Sequence, residues 1–213
     1  MKKRIIGKIK LPGQRSKNQS MNLFKNKYKN TFFQFVLPLK TVYFLFFFIY
    51  CASGSIKDSP ETNICLRGDC INGFGIQEFY KAKKAIARYE GNFKNSKYDG
   101  DGFFLFENGD RYKGNFRDDM ISGKGEYSYF ESGDNYKGEF KDDLMDGKGI
   151  YTTKKGNRYE GMFRKGKLFG EGKLIRKDGE VFIGNFKDDL PLGKAVIKNR
   201  SGKVIFDGEF IEK

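Results

Sequence analysis

Residues 89–111 read Tyr89-Glu-Gly91-Asn-Phe93-Lys-Asn-Ser-Lys-Tyr-Asp-Gly100-Asp-Gly102-Phe-Phe104-Leu-Phe-Glu-Asn108-Gly109-Asp-Arg111, and this unit recurs down the rest of the chain. Its opening pentapeptide returns as Tyr112-Lys-Gly114-Asn-Phe116, Tyr136-Lys-Gly138-Glu-Phe140, Tyr159-Glu-Gly161-Met-Phe163, Phe182-Ile-Gly184-Asn-Phe186 and Phe206-Asp-Gly208-Glu-Phe210. From one central glycine to the next the chain advances 23 or 24 residues. A fixed period of this length marks a repeat architecture, in which each unit buries its apolar face only by stacking on its neighbours.

Each unit has the same internal order. A polar stretch follows the pentapeptide, then a Gly-x-Gly pair (Gly100/Gly102, Gly123/Gly125, Gly147/Gly149, Gly170/Gly172, with Gly193 and Ala195 in the fifth copy). Two residues on stands an apolar or aromatic side chain: Phe104, Tyr127, Tyr151, Leu174 or Ile197. A polar turn such as Asn108-Gly109 or Asp178-Gly179 closes the unit. Two extended segments punctuated by glycine predict a β-hairpin. Period-2 geometry puts Tyr89, Gly91 and Phe93 on one face and Glu90 and Asn92 on the other. The bare glycine is expected to make room for a ring of the neighbouring repeat.

This pattern resembles the MORN (membrane occupation and recognition nexus) repeat, whose unit runs Tyr-x-Gly-x-aromatic, a polar linker, Gly-x-Gly-x-aromatic and a glycine-containing turn. The resemblance implies an all-β protein, an elongated single-layer antiparallel sheet of stacked hairpins. It also implies roles in membrane association or protein scaffolding, with no catalytic residues and no cofactor. On this reading residues 89–213 hold five repeats and a closing half repeat. Residues 65–88, with Leu66-Arg-Gly68-Asp-Cys70 as a degenerate copy and an insertion from Lys81 to Arg88, form an atypical cap.

Charge divides the chain. Of 41 Lys and Arg against 27 Asp and Glu, 11 of the basic residues and none of the acidic ones fall in residues 1–50, leaving 30 against 27. The repeats are therefore nearly balanced, without the basic stripe that tracks phosphates, and nucleic acid is not an expected partner. The basic leader, residues 1–51, ends in Thr41–Tyr50 (TVYFLFFFIY) followed by Cys51-Ala-Ser-Gly-Ser. A basic region, an apolar core and small residues after it have the anatomy of a secretory signal, with Met21 as a second candidate start. Three outcomes stand open: acylation of Cys51 as in bacterial lipoproteins, an uncleaved and helical anchor reaching back to Thr31, or cleavage and release. The first two tether the repeats to a membrane, and the flanking charge places them outside the cytoplasm, in the cell envelope. Residues 52–64 read as a linker.

Cys65 and Cys70 then form an even pair in an oxidising compartment. Across a straight strand they would stand about 16 Å apart, too far for a bridge. A turn at Arg67-Gly68-Asp69 would bring them together, and two unbridged apolar residues of the cap remain the alternative. With no His in the chain a zinc site is not expected. Residues 161–168 approach a phosphate-binding loop, but Leu168 stands where the magnesium-binding hydroxyl belongs. The paired aspartates 118–119, 142–143 and 188–189 lack the spacing of a calcium loop and read as solvated turns.

No nucleophile or acid/base pair stands out, so an enzyme is not expected. The expected function is a membrane-tethered scaffold that binds a protein partner through exposed tyrosines and phenylalanines. The alternatives are phospholipid head-group binding, with Arg111, Lys113, Lys137 and Arg158 as contacts, and a passive envelope spacer.

Overall fold

The structure is a computed structural model that describes residues 3–5 and 62–211, and the leader's apolar run and Cys51 lie outside the described residues. Every regular element among the described residues is a β-strand. In chain order they are β1 (Lys3–Ile5), β2 (Thr62–Gly68), β3 (Phe74–Lys81), β4 (Lys84–Lys94), β5 (Lys97–Leu105), β6 (Arg111–Arg117), β7 (Met120–Ser128), β8 (Asn135–Lys141), β9 (Leu144–Thr152), β10 (Arg158–Arg164), β11 (Lys167–Ile175), β12 (Val181–Lys187), β13 (Leu190–Lys198) and β14 (Val204–Phe210). Strands β2 to β14 pair only with their neighbours in sequence, in one open antiparallel meander, and β1 adds a parallel edge to β14. Thirteen strands at about 4.8 Å spacing make a sheet about 60 Å long. The first hairpin begins at Thr62, inside the segment read as a linker, and the expected insertion at Lys81–Arg88 is the turn and first half of an ordinary β3–β4 hairpin.

The polar stretch between the pentapeptide and Gly-x-Gly is the hairpin turn itself. Asn95-Ser96, Asp118-Asp119, Asp142-Asp143, Lys165-Gly166 and Asp188-Asp189 are two-residue loops with positive φ at both positions, the type I′ geometry whose twist matches that of the strands. The paired aspartates are more than solvated turns. Asp119 accepts a hydrogen bond from the Tyr98 backbone N–H of the preceding hairpin at 2.8 Å, Asp143 from that of Ile121 at 2.7 Å and Asp189 from that of Leu168 at 2.9 Å. Burial raises the Asp119 carboxyl above the usual range, an effect opposed by that same hydrogen bond.

The two glycines of Gly-x-Gly serve different physical ends. The first lies in a bulge at positive φ (Gly100 at 98°, Gly193 at 76°), where three residues of one strand face one of its partner. The second, together with the pentapeptide glycine opposite it, is where a tyrosine lies. A Cβ on Gly102 would stand 2.6 Å from the Tyr89 ring, and one on Gly149 2.4 Å from the Tyr136 ring. The ring over the glycines belongs to the same repeat, not to the neighbouring one as expected from sequence. Each tyrosine donates its hydroxyl three residues ahead: Tyr89 to the Asn92 carbonyl, Tyr112 to Asn115, Tyr136 to Glu139 and Tyr159 to Met162.

Pinned there, each ring meets two phenylalanines at nearly right angles. Tyr89 touches Phe93 and Phe116, with centroids 5.1 and 5.2 Å away; Tyr112 touches Phe116 and Phe140; Tyr136 touches Phe140 and Phe163; Tyr159 touches Phe163 and Phe186. The ladder continues through Phe182 and Phe210 to Phe206. Edge-to-face pairs add about 0.5–1.5 kcal/mol each beyond the area they bury.

One sheet thereby makes its own core. Tyr98 and Phe104 are six residues apart in β5, about 20 Å in a straight strand, yet their rings are 6.0 Å apart. The strand is bent at its glycines, and both arms close on the aromatic ladder. Tyr98, Ile121, Met145, Leu168 and Pro191, two residues before each Gly-x-Gly, complete this core as a buried column.

Candidate interaction surface

Burial alternates along the strands of the repeats, as in β6, where Tyr112 and Phe116 are buried while Arg111, Lys113 and Arg117 are exposed. The aromatic side chains of the signature are spent on the inner face, so the tyrosines expected to meet a partner are unavailable: Tyr89, Tyr112, Tyr127 and Tyr136 have no exposed surface at all. What remains open is the opposite, outer face.

Strand register fixes the rows on that face. One runs Glu90, Phe103, Lys113, Glu126, Lys137, Ile150, Glu160, Lys173, Ile183, Val196, Asp207, each residue directly opposite the next. Apolar side chains recur at Phe103, Ile150 and the Ile183/Val196 pair, each set between charged neighbours. The second position, between Gly and Phe, is as mixed: Asp101 faces Asn115, Lys124 faces Glu139, and Lys148 faces Met162. Two shallow depressions open here, one of about 640 Å³ lined by Phe74, Glu90, Asp101, Phe103 and Lys113, the other of about 440 Å³ lined by Lys137, Lys148, Ile150, Met162 and Glu171.

The four residues read as possible lipid contacts all lie on this face, but not as a basic patch. Arg111 is opposite Ser128; Glu126 stands between Lys113 and Lys137; Arg158 forms an ion pair with Glu160. An anionic surface would meet acid and base in alternation. At the cap, Cys65 and Cys70 form a disulfide with their Cα atoms 6.1 Å apart, where a bulge between Cys65 and Arg67 and the positive φ of Gly68 bend the chain.

Sequence reasoning missed a buried polar network joining the first repeats. Asp110 accepts hydrogen bonds from the Tyr127 hydroxyl at 2.9 Å and the Phe130 backbone N–H at 2.8 Å. One repeat on, Asp134 accepts from the Tyr151 hydroxyl and the Lys154 backbone N–H. Burial, and then the adjacent carboxylate, push the Tyr127 and Tyr151 phenols far above their usual range. An aspartate two residues before the signature tyrosine in two successive units was the available signal.

The ladder of pinned tyrosines, bent strands and type I′ turns is a repeat geometry, and one repeat family is similar to it. The MORN repeat family model matches the chain four times in tandem, at residues 89–111, 112–131, 136–158 and 159–181. MORN repeats are generally involved in protein–protein or lipid interactions, and this all-β fold typically serves as a non-catalytic scaffold. Beyond the matched residues the same hairpin geometry continues through β12, β13 and β14, where Phe182 and Ala195 replace the tyrosine and the second glycine.

No curated protein matches the chain. Among solved structures, the TCP domain of SAS-4 (dCPAP) from Drosophila melanogaster, in complex with a proline-rich motif of Ana2 (dSTIL), is similar at 15% identity and a TM-score of 0.39, over 75% of this chain and 90% of that one. A likeness so distant carries no argument.

Proposed function

We propose that the chain is a non-enzymatic scaffold, tethered to a membrane by its N-terminal segment, whose MORN repeats bind a protein partner through the outer face of the sheet. The observation that carries this is the outer row, where Phe103, Ile150 and Ile183/Val196 recur between charges of both signs on a lattice held rigid by the aromatic ladder behind it. Regularly placed apolar anchors with charged rims suit a protein surface, because the anchors supply contact area and the rims supply register. Lipid head groups fit less well, since Glu126 and Glu160 interrupt the cations they would need. The tether rests on the basic leader and its apolar run, and a Cys65–Cys70 bridge suits repeats held outside the cytoplasm.

Two experiments test the two halves. Residues 60–213 should sediment little with phosphatidylserine or phosphoinositide vesicles at physiological salt; strong saturable binding lost on replacing Lys113 and Lys137 would transfer the function to lipid. Cys51→Ala should abolish acylation and release the protein from the membrane fraction. A mutant that stays in the membrane at full length shows an uncleaved anchor instead.

A further inference from the structure

At the edge of the sheet opposite the type I′ turns, one position recurs beside each closing turn: Glu107, Phe130, Lys154, Lys177 and Arg200, 23, 24, 23 and 23 residues apart. All five are exposed, Phe130 to 71%, and the last four are seated on the turn before them. Their stems are not loose. The Phe130 ring lies against Gly109, the Lys154 side chain against Gly133, Lys177 Cβ against Gly156 and the Arg200 stem against Gly179, each on the turn of the preceding unit. The backbone N–H groups of Phe130, Lys154 and Lys177 are held by Asp110, Asp134 and Asn157. The result is a column of one aromatic and three cationic side chains, seated at their bases with their ends in solvent, and Glu107 at the first turn ends the cationic run on the far side of Phe130. Successive members are two strands apart, about 9.6 Å.

That step has a counterpart in one peptide conformation. A polyproline II helix turns once every three residues and rises about 9.3 Å in doing so, which brings every third side chain onto one face. A β-strand rises about 10 Å over three residues but presents the third on the opposite face. We propose that this turn edge binds an acidic polyproline II segment, with a carboxylate at every third position against Lys154, Lys177 and Arg200 and an apolar residue beyond them on Phe130. The segment runs along the length of the sheet, across the strands. The proposal rests on the protein-binding reading above but uses a different surface, so the two fail separately.

The test uses the full-length protein and fluorescein-labelled peptides, followed by anisotropy. The basic leader attracts any acidic peptide, so the readout is spacing: (Glu-Pro-Pro)4 against a peptide of the same composition with its glutamates clustered. The spaced peptide is expected to bind at least tenfold more tightly. Lys154→Gln/Lys177→Gln/Arg200→Gln should abolish that preference with the far-UV spectrum unchanged, and Lys113→Gln/Lys137→Gln on the outer face should leave it intact. Equal affinity for the two peptides would overturn the proposal even if the triple variant failed to fold. A preference lost in the outer-face variant would also overturn it, as would phosphatidylserine vesicles displacing the spaced peptide from the wild type but not binding the triple variant.

Discussion

The fifth unit sets up a test of why the glycines are there. In repeats one to four a tyrosine lies over two glycines, whereas in the fifth Phe182 and Ala195 occur together, and the ring of Phe182 meets Phe186 at 60° where Tyr136 meets Phe140 at 88°. Without a hydroxyl anchored to a carbonyl, the ring is free to tilt off the methyl group. Gly149→Ala places that methyl in the third repeat. Its Cβ would stand 2.3 Å from the Tyr136 hydroxyl oxygen and 2.4 Å from the ring, about 1 Å closer than ordinary contact. Overpacking of this kind costs about 1–3 kcal/mol, and displacing Tyr136 adds about 1 kcal/mol for its hydrogen bond to the Glu139 carbonyl. A smaller unfolded-state entropy returns about 0.4–1 kcal/mol, leaving a net loss of about 1–3.5 kcal/mol. Tyr136→Phe alone should cost about 1 kcal/mol. The double variant, free to tilt, should be at least about 1 kcal/mol more stable than the sum of the two predicts. Gly138→Ala should resist the same rescue, because two of its three nearest atoms are the Gly149 Cα and the Lys148 carbonyl, which are backbone. Urea denaturation followed by far-UV circular dichroism measures these three single variants and the two doubles with Tyr136→Phe. Strict additivity of Gly149→Ala and Tyr136→Phe would refute the role given to the ring.

The other predictions follow from the buried polar groups. The Tyr129 hydroxyl is buried with no hydrogen-bond partner, so Tyr129→Phe should stabilise the protein by about 1 kcal/mol in the same assay. Asp134→Ala strands the Tyr151 hydroxyl and the Lys154 N–H and should cost about 2–4 kcal/mol, against a far smaller loss for exposed Asp142→Ala. Alkali should unfold the sheet. Eight tyrosines (89, 98, 112, 127, 129, 136, 151 and 159) have phenols raised by burial, so above about pH 10 the unfolded chain releases protons the folded one retains. Stability present below that pH should fall by up to about 6 kcal/mol at about pH 10.5, and phenolate absorbance should rise together with loss of the β spectrum. Gradual phenolate formation in a folded protein would contradict the burial.

The sequence announces the repeat because its strongest constraints are local. A tyrosine that must lie over two glycines leaves a fixed spacing, and the inner-face alternation of Tyr89, Gly91 and Phe93 follows from strand geometry alone. The column of Tyr98, Ile121, Met145, Leu168 and Pro191 was illegible because it shares no chemistry, only burial, and because the bulge at Gly100 shifts the alternation that would have exposed it. The Asp-Asp turns hid for a related reason: the positive φ of the turn is supported where the carboxylate of the second aspartate bonds to the preceding hairpin, a contact between units more than 20 residues apart. The outer surface was half legible. Its charge balance could be counted, but with the signature rings turned inward, which residues a partner meets depends on the bend.

The most direct test of the scaffold reading is site-specific photocrosslinking in the native membrane. A benzoylphenylalanine in place of Ile150, on the outer face, should yield a discrete protein adduct, while one in place of Lys165 at a type I′ turn should not. Adducts at both positions alike, or lipid adducts alone at 150, would contradict a partner-binding outer face.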